Sequence, residues 1–319
     1  MDMPLSEKKL IERLRRLAPK GPSVVTGIGD DAAVLRIPHG HDLLVTTDFT
    51  IENVHFRREW HHPRVVGWRC LTRGLSDIAA MGGEPQAAFL SLAVGGDVPQ
   101  KWVDGFLKGL LDLAKDFGVP LAGGDTAESR GGIQADIVVV GSVPKGKAVL
   151  RSGAKADQQI YVTGDLGGSS WALSRLAKGM RIGPQYSRHF RPLARVAVGR
   201  WLRERGIASA MIDISDGLST DLEHICEESH VGAEIEVEAI PRAPTSQRER
   251  LVGIEFALHG GDDYELLFTS SRTVPSKVEG VPVTRIGRTT KASALRLVDA
   301  DGRMRKLEAS GWEHFRHIG

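Results

Sequence analysis

The sequence predicts a mixed α/β protein, of the α+β type, that is divided into two domains. Apolar runs typical of strands alternate with helical patterns in both halves of the chain. The alternation restarts near residue 150, where a strand pattern leads into a glycine-rich turn and a helix. The length of 319 residues is sufficient for two medium-sized domains. We therefore expect an N-terminal domain over 1–147 and a C-terminal domain over 148–319.

The elements of the N-terminal half follow from periodicity and from the residues that end each pattern. Three helices are predicted, the second followed by a glycine pair and the third opened by a proline. They cover 5–17, 63–82 and 99–118. Apolar runs bounded by turn residues predict the strands. They cover 23–37, 41–49, 86–94, 119–126 and 133–144.

The C-terminal half is predicted in the same way. Two strands run through an acidic or glycine-rich turn into a helix, over 158–179 and 209–229. A further helix is expected over 191–206, and alternation predicts a half-buried strand over 233–240. The remaining predictions are a helix end leading into a strand over 256–270, a strand over 281–287 and a hairpin over 294–309.

Composition excludes several classes of function. The chain has 42 basic and 40 acidic residues, and their scatter does not favour a nucleic-acid binder. There is no apolar signal segment or membrane span, so we expect a cytoplasmic protein. Cys70 and Cys226 match no metal-binding spacing. A disulfide between them stays open, but buried free thiols fit a reducing compartment better.

Aspartates recur where apolar runs end, and we interpret these places as acidic turns. The positions are Asp30 and Asp31, Asp48, Asp77, Asp125, Asp213 and Asp216, and Asp262 and Asp263. Any single one, such as Asp216, could be only a turn former or helix cap. Asp77 is different, because it lies inside an apolar helical stretch where an unpaired carboxylate is costly.

If these turns converge, the carboxylates require cations. Two of them about 4 Å apart repel by about 4 kcal/mol at an effective dielectric constant near 20. Hard oxygen ligands suit Mg²⁺, which binds through one or two carboxylates and through substrate phosphates. We therefore predict that the loop GIGDDAAV at 27–34 holds a phosphate through Mg²⁺.

Other glycine-rich loops fit phosphate-binding motifs less well. GIGDDA is followed by Pro38 and Gly40, which leave no room for the crossover helix of a dinucleotide-binding fold. GSVPKGKA lacks the hydroxyl that binds Mg²⁺ in a P-loop. The stretch TGDLGGSS at 163–170 precedes a helix. It is either an anion site or, as we prefer, a tight turn between strand and helix.

Seven motifs in order resemble the thiamine-monophosphate kinase family. They are GIGDDAAV, TTDFTIENVHF, LSDIAAMGGEP, GGDT, RSGAK, DISDGLSTDL and GGDDYELLF. The similarity spans residues 25 to 315. The family belongs to the ATP-binding superfamily of aminoimidazole ribonucleotide synthetase, selenophosphate synthetase and a hydrogenase maturation factor.

The resemblance implies transfer of the ATP γ-phosphate to thiamine monophosphate, which gives thiamine diphosphate by direct in-line transfer assisted by several Mg²⁺ ions. It implies that the N-terminal sheet pairs across a homodimer into a barrel, and that the C-terminal domain closes the cleft for ATP and substrate. By motif, the implied Mg²⁺ ligands are Asp30, Thr46, Thr47, Asp48, Asp77, Asp125, Asp213 and Asp216. Of these, Asp48, Asp125, Asp213 and Asp216 are the implied catalytic residues.

The resemblance also implies contacts with both substrates. Gly124, Asp125, Arg151 and Ser215 are expected to bind ATP. His55, Asp262 and Trp312 are expected to bind thiamine monophosphate. A core anchor is an open alternative for Trp312, as is a capping or packing role for His55. The family commonly has GGEDYE, so Asp262 is one methylene shorter than the usual Glu and its reach to the substrate is reduced.

Two other functions remain open. One is a different synthetase of the superfamily, such as aminoimidazole ribonucleotide synthetase. Selenophosphate synthetase is disfavoured, because no cysteine precedes Cys70. The other is a non-catalytic nucleotide-binding scaffold, which would have no need of clustered carboxylates.

Overall fold

The computed structural model describes residues 7–183, 186–245 and 250–315. Helices and mixed sheets form the chain, so the predicted α/β class is confirmed. The chain divides into two compact units, the first comprising Met1–Ile78 and Gly83–Gly146 and the second Ala79–Gly82 and Lys147–Gly319. None of the described helices is long and apolar enough to cross a membrane.

The first unit is built around a four-stranded sheet. Its elements, in chain order, are α1 (Glu7–Leu17), β1 (Val24–Thr26), β2 (Val34–Leu35), β3 (His41–Ile51), α2 (Pro63–Ala80), β4 (Glu84–Val94), α3 (Gln100–Asp116), β5 (Leu121–Glu128) and β6 (Gln134–Pro144). The strand order is β3-β6-β4-β5. Only β4 and β5 pair in parallel, because α3 connects them as a crossover, and the other pairs are antiparallel.

Helices α2 and α3 contact each other through glycine. A Cβ atom on Gly67 would lie 1.9 Å from the carbonyl oxygen of Phe106, and one on Gly109 would lie 1.9 Å from that of Arg64. Each glycine therefore admits the backbone of the opposite helix, and no larger side chain fits at either position without a shift.

The second unit contains a larger mixed sheet. Its helices are α4 (Gly168–Ala177), α5 (Ser187–Phe190), α6 (Val196–Glu204), α7 (Leu218–Ser229) and α8 (Ile254–His259). Its strands are β7 (Gln159–Thr163), β8 (Ala210–Asp213), β9 (Gly232–Glu236), β10 (Leu266–Ser270), β11 (Lys277–Val278), β12 (Val281–Thr290), β13 (Leu295–Val298) and β14 (Met304–Lys306). The strand order is β14-β13-β9-β12-β7-β10-β8, and β11 pairs with β12.

Apolar side chains cover both faces of this second sheet. Ile160 and Val162 of β7 belong to a core shared with α7 and α8. The intervening Tyr161 belongs to another core, shared with α6. Because successive strand residues point to opposite faces, one apolar run can build both cores.

The predicted element types are largely confirmed, with one correction. The helices at α2 and α3 and the hairpin of β13 and β14 lie where periodicity and turn residues place them. The single strand predicted over 23–37 is wrong. A loop at 27–33, in which Gly29 has a φ of 123°, divides it into the paired strands β1 and β2. Both cysteines are free and buried, as expected.

Candidate functional site

Two of the predicted acidic turns are not turns, because Asp48 lies within β3 and Asp125 within β5. Asp77 lies within α2, inside the helix predicted over 63–82. The sheet explains the two strand positions, because Asp48 is paired with Ile137 and Asp125 with Ser91. Backbone pairing with a neighbouring strand outweighs the local preference of Gly and Asp for turns.

The candidate ligands at 46–48 are divided between the two faces of the first sheet. The Thr46 hydroxyl donates a hydrogen bond to Asp77 of α2. The Thr47 hydroxyl donates to Asp136 Oδ1 at 2.7 Å. Side chains alternate along a strand, so Asp48 shares the α2 face with Thr46, and Thr47 lies on the opposite, open face. Their side chains therefore do not converge on one point.

A cavity of about 600 Å³ in the first unit brings two of the predicted motifs together. The 27–33 loop and β5 line it, and Ile11 and Leu14 of α1 close one side. Asp30 and Asp125 are both exposed here. Asp30 Oδ1 accepts the backbone N–H of Asp31, and Asp125 Oδ1 accepts that of Thr126, each at 2.9 Å.

Gly124 allows β5 to reach this cavity beside β4. Its φ is 147°, and a Cβ there would lie 1.8 Å from the carbonyl oxygen of Leu90. Any other residue would strain the backbone and collide with β4. The glycine therefore determines where Asp125 is presented.

The second unit holds another acidic group, at the end of β8. Asp213 is the last residue of that strand, and the loop after it carries Ser215 and Asp216. The buried Asp221 Oδ2 accepts the backbone N–H groups of Ser215, Asp216 and Gly217 at 3.1, 3.2 and 3.0 Å. Burial, and then the charges of Asp213 and Asp216, raise the pKa of Asp221 well above its ordinary value.

Two of the predicted substrate residues lie against this same loop. The Asp262 N–H donates to the Ser215 carbonyl at 2.8 Å, and the Trp312 N–H donates to the Asp216 carbonyl at 2.9 Å. The buried Tyr264 hydroxyl donates to Asp262 Oδ1 at 2.6 Å and so holds that carboxylate. Trp312 is 47% exposed, which does not fit the alternative of a core anchor.

The remaining predicted substrate contacts are His55, in the first unit, and Arg151, in the second. His55 Nδ1 accepts the Ile51 N–H at 3.0 Å, which is the local capping contact that the sequence left open. Arg151 begins a short 3₁₀ turn, Arg151–Gly153, and is exposed. It forms no ion pair with a described residue, so its guanidinium is available to an anion.

The turn before α4 is closed by a carboxylate of the protein itself. Asp263 Oδ2 accepts the Gly167 N–H at 2.7 Å, and its Oδ1 accepts the Ser169 N–H at 3.5 Å. A carboxylate therefore already occupies the N-terminal amides of α4. This favours the tight turn over the anion site for TGDLGGSS.

Comparisons with known proteins identify the family of this chain. Residues 29–143 match the family model of the AIR synthase related protein N-terminal domain, and residues 155–300 match that of the C-terminal domain. A thiamine-monophosphate kinase of Salmonella typhimurium is 36% identical over 98% of this chain and 99% of its own length. The chain belongs to the thiamine-monophosphate kinase family.

Solved structures of the thiamine-monophosphate kinase family share this fold. The crystal structure from Stenotrophomonas maltophilia K279a has a TM-score of 0.82 at 33% identity, covering 94% of this chain and 98% of its own. A structure described as AaThiL complexed with AMPPCP and TMP has a TM-score of 0.76 at 31% identity. It covers 97% of this chain and 96% of its own.

In this member of the thiamine-monophosphate kinase family, three acids that hold neighbouring groups by hydrogen bonds were not predicted from the sequence. Glu265 accepts two hydrogen bonds from Arg195, at 2.5 and 2.7 Å, and one from the Thr163 hydroxyl at 2.6 Å. Asp221 lies in the motif DISDGLSTDL and Glu265 in GGDDYELLF. Their place in these motifs is the sequence signal by which both could have been found. Asp136 stands in a plain strand pattern, and only strand pairing places it beside Thr47.

Proposed function

We propose that this chain transfers the γ-phosphate of ATP to thiamine monophosphate, giving thiamine diphosphate and ADP. The observation that carries the proposal is the similarity to thiamine-monophosphate kinases, at 36% identity over 98% of the chain. A related chain in complex with AMPPCP, an analogue of ATP, supports the choice of donor. A cytoplasmic location is part of the proposal, because both described cysteines are free thiols and ATP is the donor.

The proposed transfer is direct. An oxygen of the substrate phosphate forms a bond to the γ-phosphorus while the bond from that phosphorus to the bridging oxygen of ATP breaks. Such transfers depend on positioning and on charge stabilisation more than on covalent chemistry. No phosphorylated enzyme residue is therefore included in the proposal.

The proposed cofactor is Mg²⁺, as several ions. No group of three or more Asp, Glu, His or Cys side chains within 7–183, 186–245 and 250–315 is arranged to hold a metal ion. Mg²⁺ needs only one or two carboxylates and completes its shell with water and substrate phosphates. When bound, Mg²⁺ neutralises the phosphate charges and lets the two anionic substrates approach.

The proposed ligands are those that the motifs imply. The exposed acids Asp30 and Asp125 line one cavity, and Asp213 and Asp216 flank the loop that Asp221 holds. Thr46, Thr47, Asp48 and Asp77 complete the proposed set. Asp48, Asp125, Asp213 and Asp216 are proposed to place the reacting phosphates.

Separate groups are proposed to recognise the two substrates. For ATP they are Gly124, Asp125, Ser215 and the exposed Arg151, whose forked guanidinium suits a phosphate. For thiamine monophosphate they are His55, Asp262 and the half-exposed indole of Trp312, which can stack on a flat ring. Tyr264 fixes Asp262, and this favours a defined position for the shorter carboxylate.

We also propose the homodimer in which the first sheet pairs with that of a second copy to form a barrel. Its support is the open face of β3, on which Leu43, Val45 and Phe49 are 54%, 61% and 60% exposed. Neighbouring apolar side chains of this size on one strand are unusual on a surface that stays in water.

The test is an assay with ATP, Mg²⁺ and thiamine monophosphate that quantifies thiamine diphosphate and ADP. We expect both products in equal amounts, and no turnover without Mg²⁺. Asp125→Ala should lower kcat at least a hundredfold, while Asp301→Ala, at an exposed turn, should leave it unchanged. Activity on aminoimidazole precursors instead of thiamine monophosphate would assign the chain to the synthetase alternative.

A further inference from the structure

A second cavity of the first unit lies between α1 and α3, on residues that the proposed reaction does not use. We call it the α1–α3 groove. Its volume is about 1020 Å³, at the upper end of the range for small-molecule sites. It is bounded by α3, by Arg13 and Leu17 of α1, and by the segment from Arg58 to Pro63. It shares no lining residue with the cavity of Asp30 and Asp125.

The floor of the α1–α3 groove is apolar and rigid. Trp102 is stacked between Phe56 and Phe106, with ring centroids 6.0 and 5.7 Å away. Its indole is 9% exposed, and its Nε1–H donates no hydrogen bond to a residue in the described part of the chain. Leu17, which is 53% exposed, forms the opposite wall. This surface loses contact with water when an apolar body covers it.

The rim of the groove is positively charged. Five Lys or Arg side chains and two Asp side chains line it, an excess of three positive charges. The two acids are already paired: Asp104 with Arg13 at 2.5 Å, and Asp112 with Arg64 at 2.7 Å and Lys108 at 3.2 Å. Arg58 is paired as well, with Glu52 at 2.5 Å and Asp97 at 3.3 Å, which leaves two of the five rim bases.

Lys101 and Lys115 supply the available charge. Neither forms an ion pair with a residue that the structure describes, and both are exposed. Burial acts to raise the pKa of Asp112, but hydrogen bonds from Arg64 and Lys108 outweigh it, and the pKa is lowered. Asp112 therefore remains ionised and keeps Lys108 occupied.

The shape of the groove restricts its occupant. Lys101, Lys108 and Lys115 are seven residues apart, so they follow one side of α3 over about 21 Å. This volume is that of a small-molecule site, and the lysines along its rim favour an anion. The helical walls also offer no strand edge with which an extended peptide could pair.

We propose that the α1–α3 groove binds a small amphipathic organic anion. Its apolar body covers the surface around Trp102 and Leu17, and its carboxylate, phosphate or sulfonate faces Lys101 or Lys115. The site is distinct from the one that would bind ATP and thiamine monophosphate, and it does not depend on the proposed reaction.

Two fluorescent probes of similar shape test this inference on the full chain. One is 8-anilinonaphthalene-1-sulfonate, which carries the anion, and the other is N-phenyl-1-naphthylamine, which lacks it. We expect saturable binding of the sulfonate at one site per chain. The double variant Lys101→Glu/Lys115→Glu should weaken it at least fivefold, while affinity for the neutral probe changes less than twofold. Lys277→Glu, an exposed lysine of the second unit, is the matched control and should change neither.

A second variant addresses the apolar surface. Leu111→Glu places a carboxylate in the groove and should weaken the sulfonate by tenfold or more without lowering the melting temperature of the chain. Equal affinity in the wild type and the lysine double variant would overturn the proposal. Displacement of the probe by saturating ATP, Mg²⁺ and thiamine monophosphate would also overturn it, because the probe would then report the reaction site.

Discussion

One carboxylate oxygen organises the loop that carries Ser215 and Asp216. Asp221 Oδ2 accepts three successive backbone N–H groups from that loop. The candidate groups Asp262 and Trp312 contact the same loop through their own backbones. Asp221 therefore positions the loop that carries the proposed residues Ser215 and Asp216.

Two replacements of Asp221 should show whether its hydrogen bonds or its charge hold the loop. Asp221→Ala leaves the loop amides without an acceptor, at a cost of about 1–3 kcal/mol for each such group that stays buried. We expect a drop in kcat of at least tenfold. Asp221→Asn retains an acceptor oxygen and should keep most of the activity.

Steady-state kinetics and urea unfolding are the measurements for this series. Glu227→Ala, at an exposed position of the same helix, is the control. A wild-type kcat in Asp221→Ala would show that the loop holds its shape without this carboxylate.

Asp263 makes folding stability dependent on pH. Although part of the residue is exposed, burial of the carboxylate raises the pKa of Asp263 to about 8, against the opposing effect of the Gly167 and Ser169 amides. The folded chain thus holds this proton more tightly than the unfolded chain does. The free energy of unfolding should fall as pH rises from about 4 to 8, by at most about 1.4 kcal/mol per unit.

The variant Asp263→Asn should remove that contribution to the slope. Urea unfolding at pH 5.5, 6.5, 7.5 and 8.5 measures it, and Asp301→Asn, at an exposed turn, should retain the wild-type slope. If wild type and Asp263→Asn have the same slope, titration of Asp263 is not coupled to folding.

At the scale of elements, the contact between α2 and α3 makes glycine more favourable than alanine at position 109, although alanine is usually preferred in helices. Alanine is normally better than glycine there by about 1 kcal/mol. In Gly109→Ala, however, the new Cβ would meet the Arg64 carbonyl oxygen at 1.9 Å, and overpacking typically costs about 1–3 kcal/mol. We expect a lower free energy of unfolding.

Chemical unfolding followed by circular dichroism measures this effect. Lys108→Ala, at the adjacent exposed position, should change stability by less than about 0.5 kcal/mol. A Gly109→Ala variant as stable as the wild type would mean that the two helices separate at little cost.

Element type could be predicted well from the sequence, because the long helices have clear periodicity and are bounded by Gly or Pro. The turn assignments of Asp48 and Asp125 failed because strand pairing, which is a long-range property, decided them. The separation of Thr46 from Thr47 was predictable in principle, since side chains alternate along any strand. The roles of Asp136 and Asp221 were not, because each depends on a partner fixed by the fold.

At the scale of the whole molecule, the open face of β3 should decide the state of assembly. If it forms the proposed barrel, a charge at Val45 must be buried without a partner, which is strongly unfavourable. We expect Val45→Asp to sediment as a monomer at a concentration where the wild type is a dimer.

The control for assembly is Leu251→Asp, because Leu251 is also exposed, at 51%, but lies in the second unit. It should not change the sedimentation coefficient. A dimeric Val45→Asp variant with native stability would place the subunit contact on another surface.

The two faces of β3 also limit how its length can vary. Val45, Thr47 and Phe49 lie on one face, and Thr46 and Asp48 on the other. Inserting or deleting one residue would exchange the faces for every position beyond the change. In the proposed dimer, Asp48 would then face the second copy while apolar groups turned towards α2. This strand can accept new side chains, but a change of one residue in its length would disrupt the proposed assembly and the proposed site together.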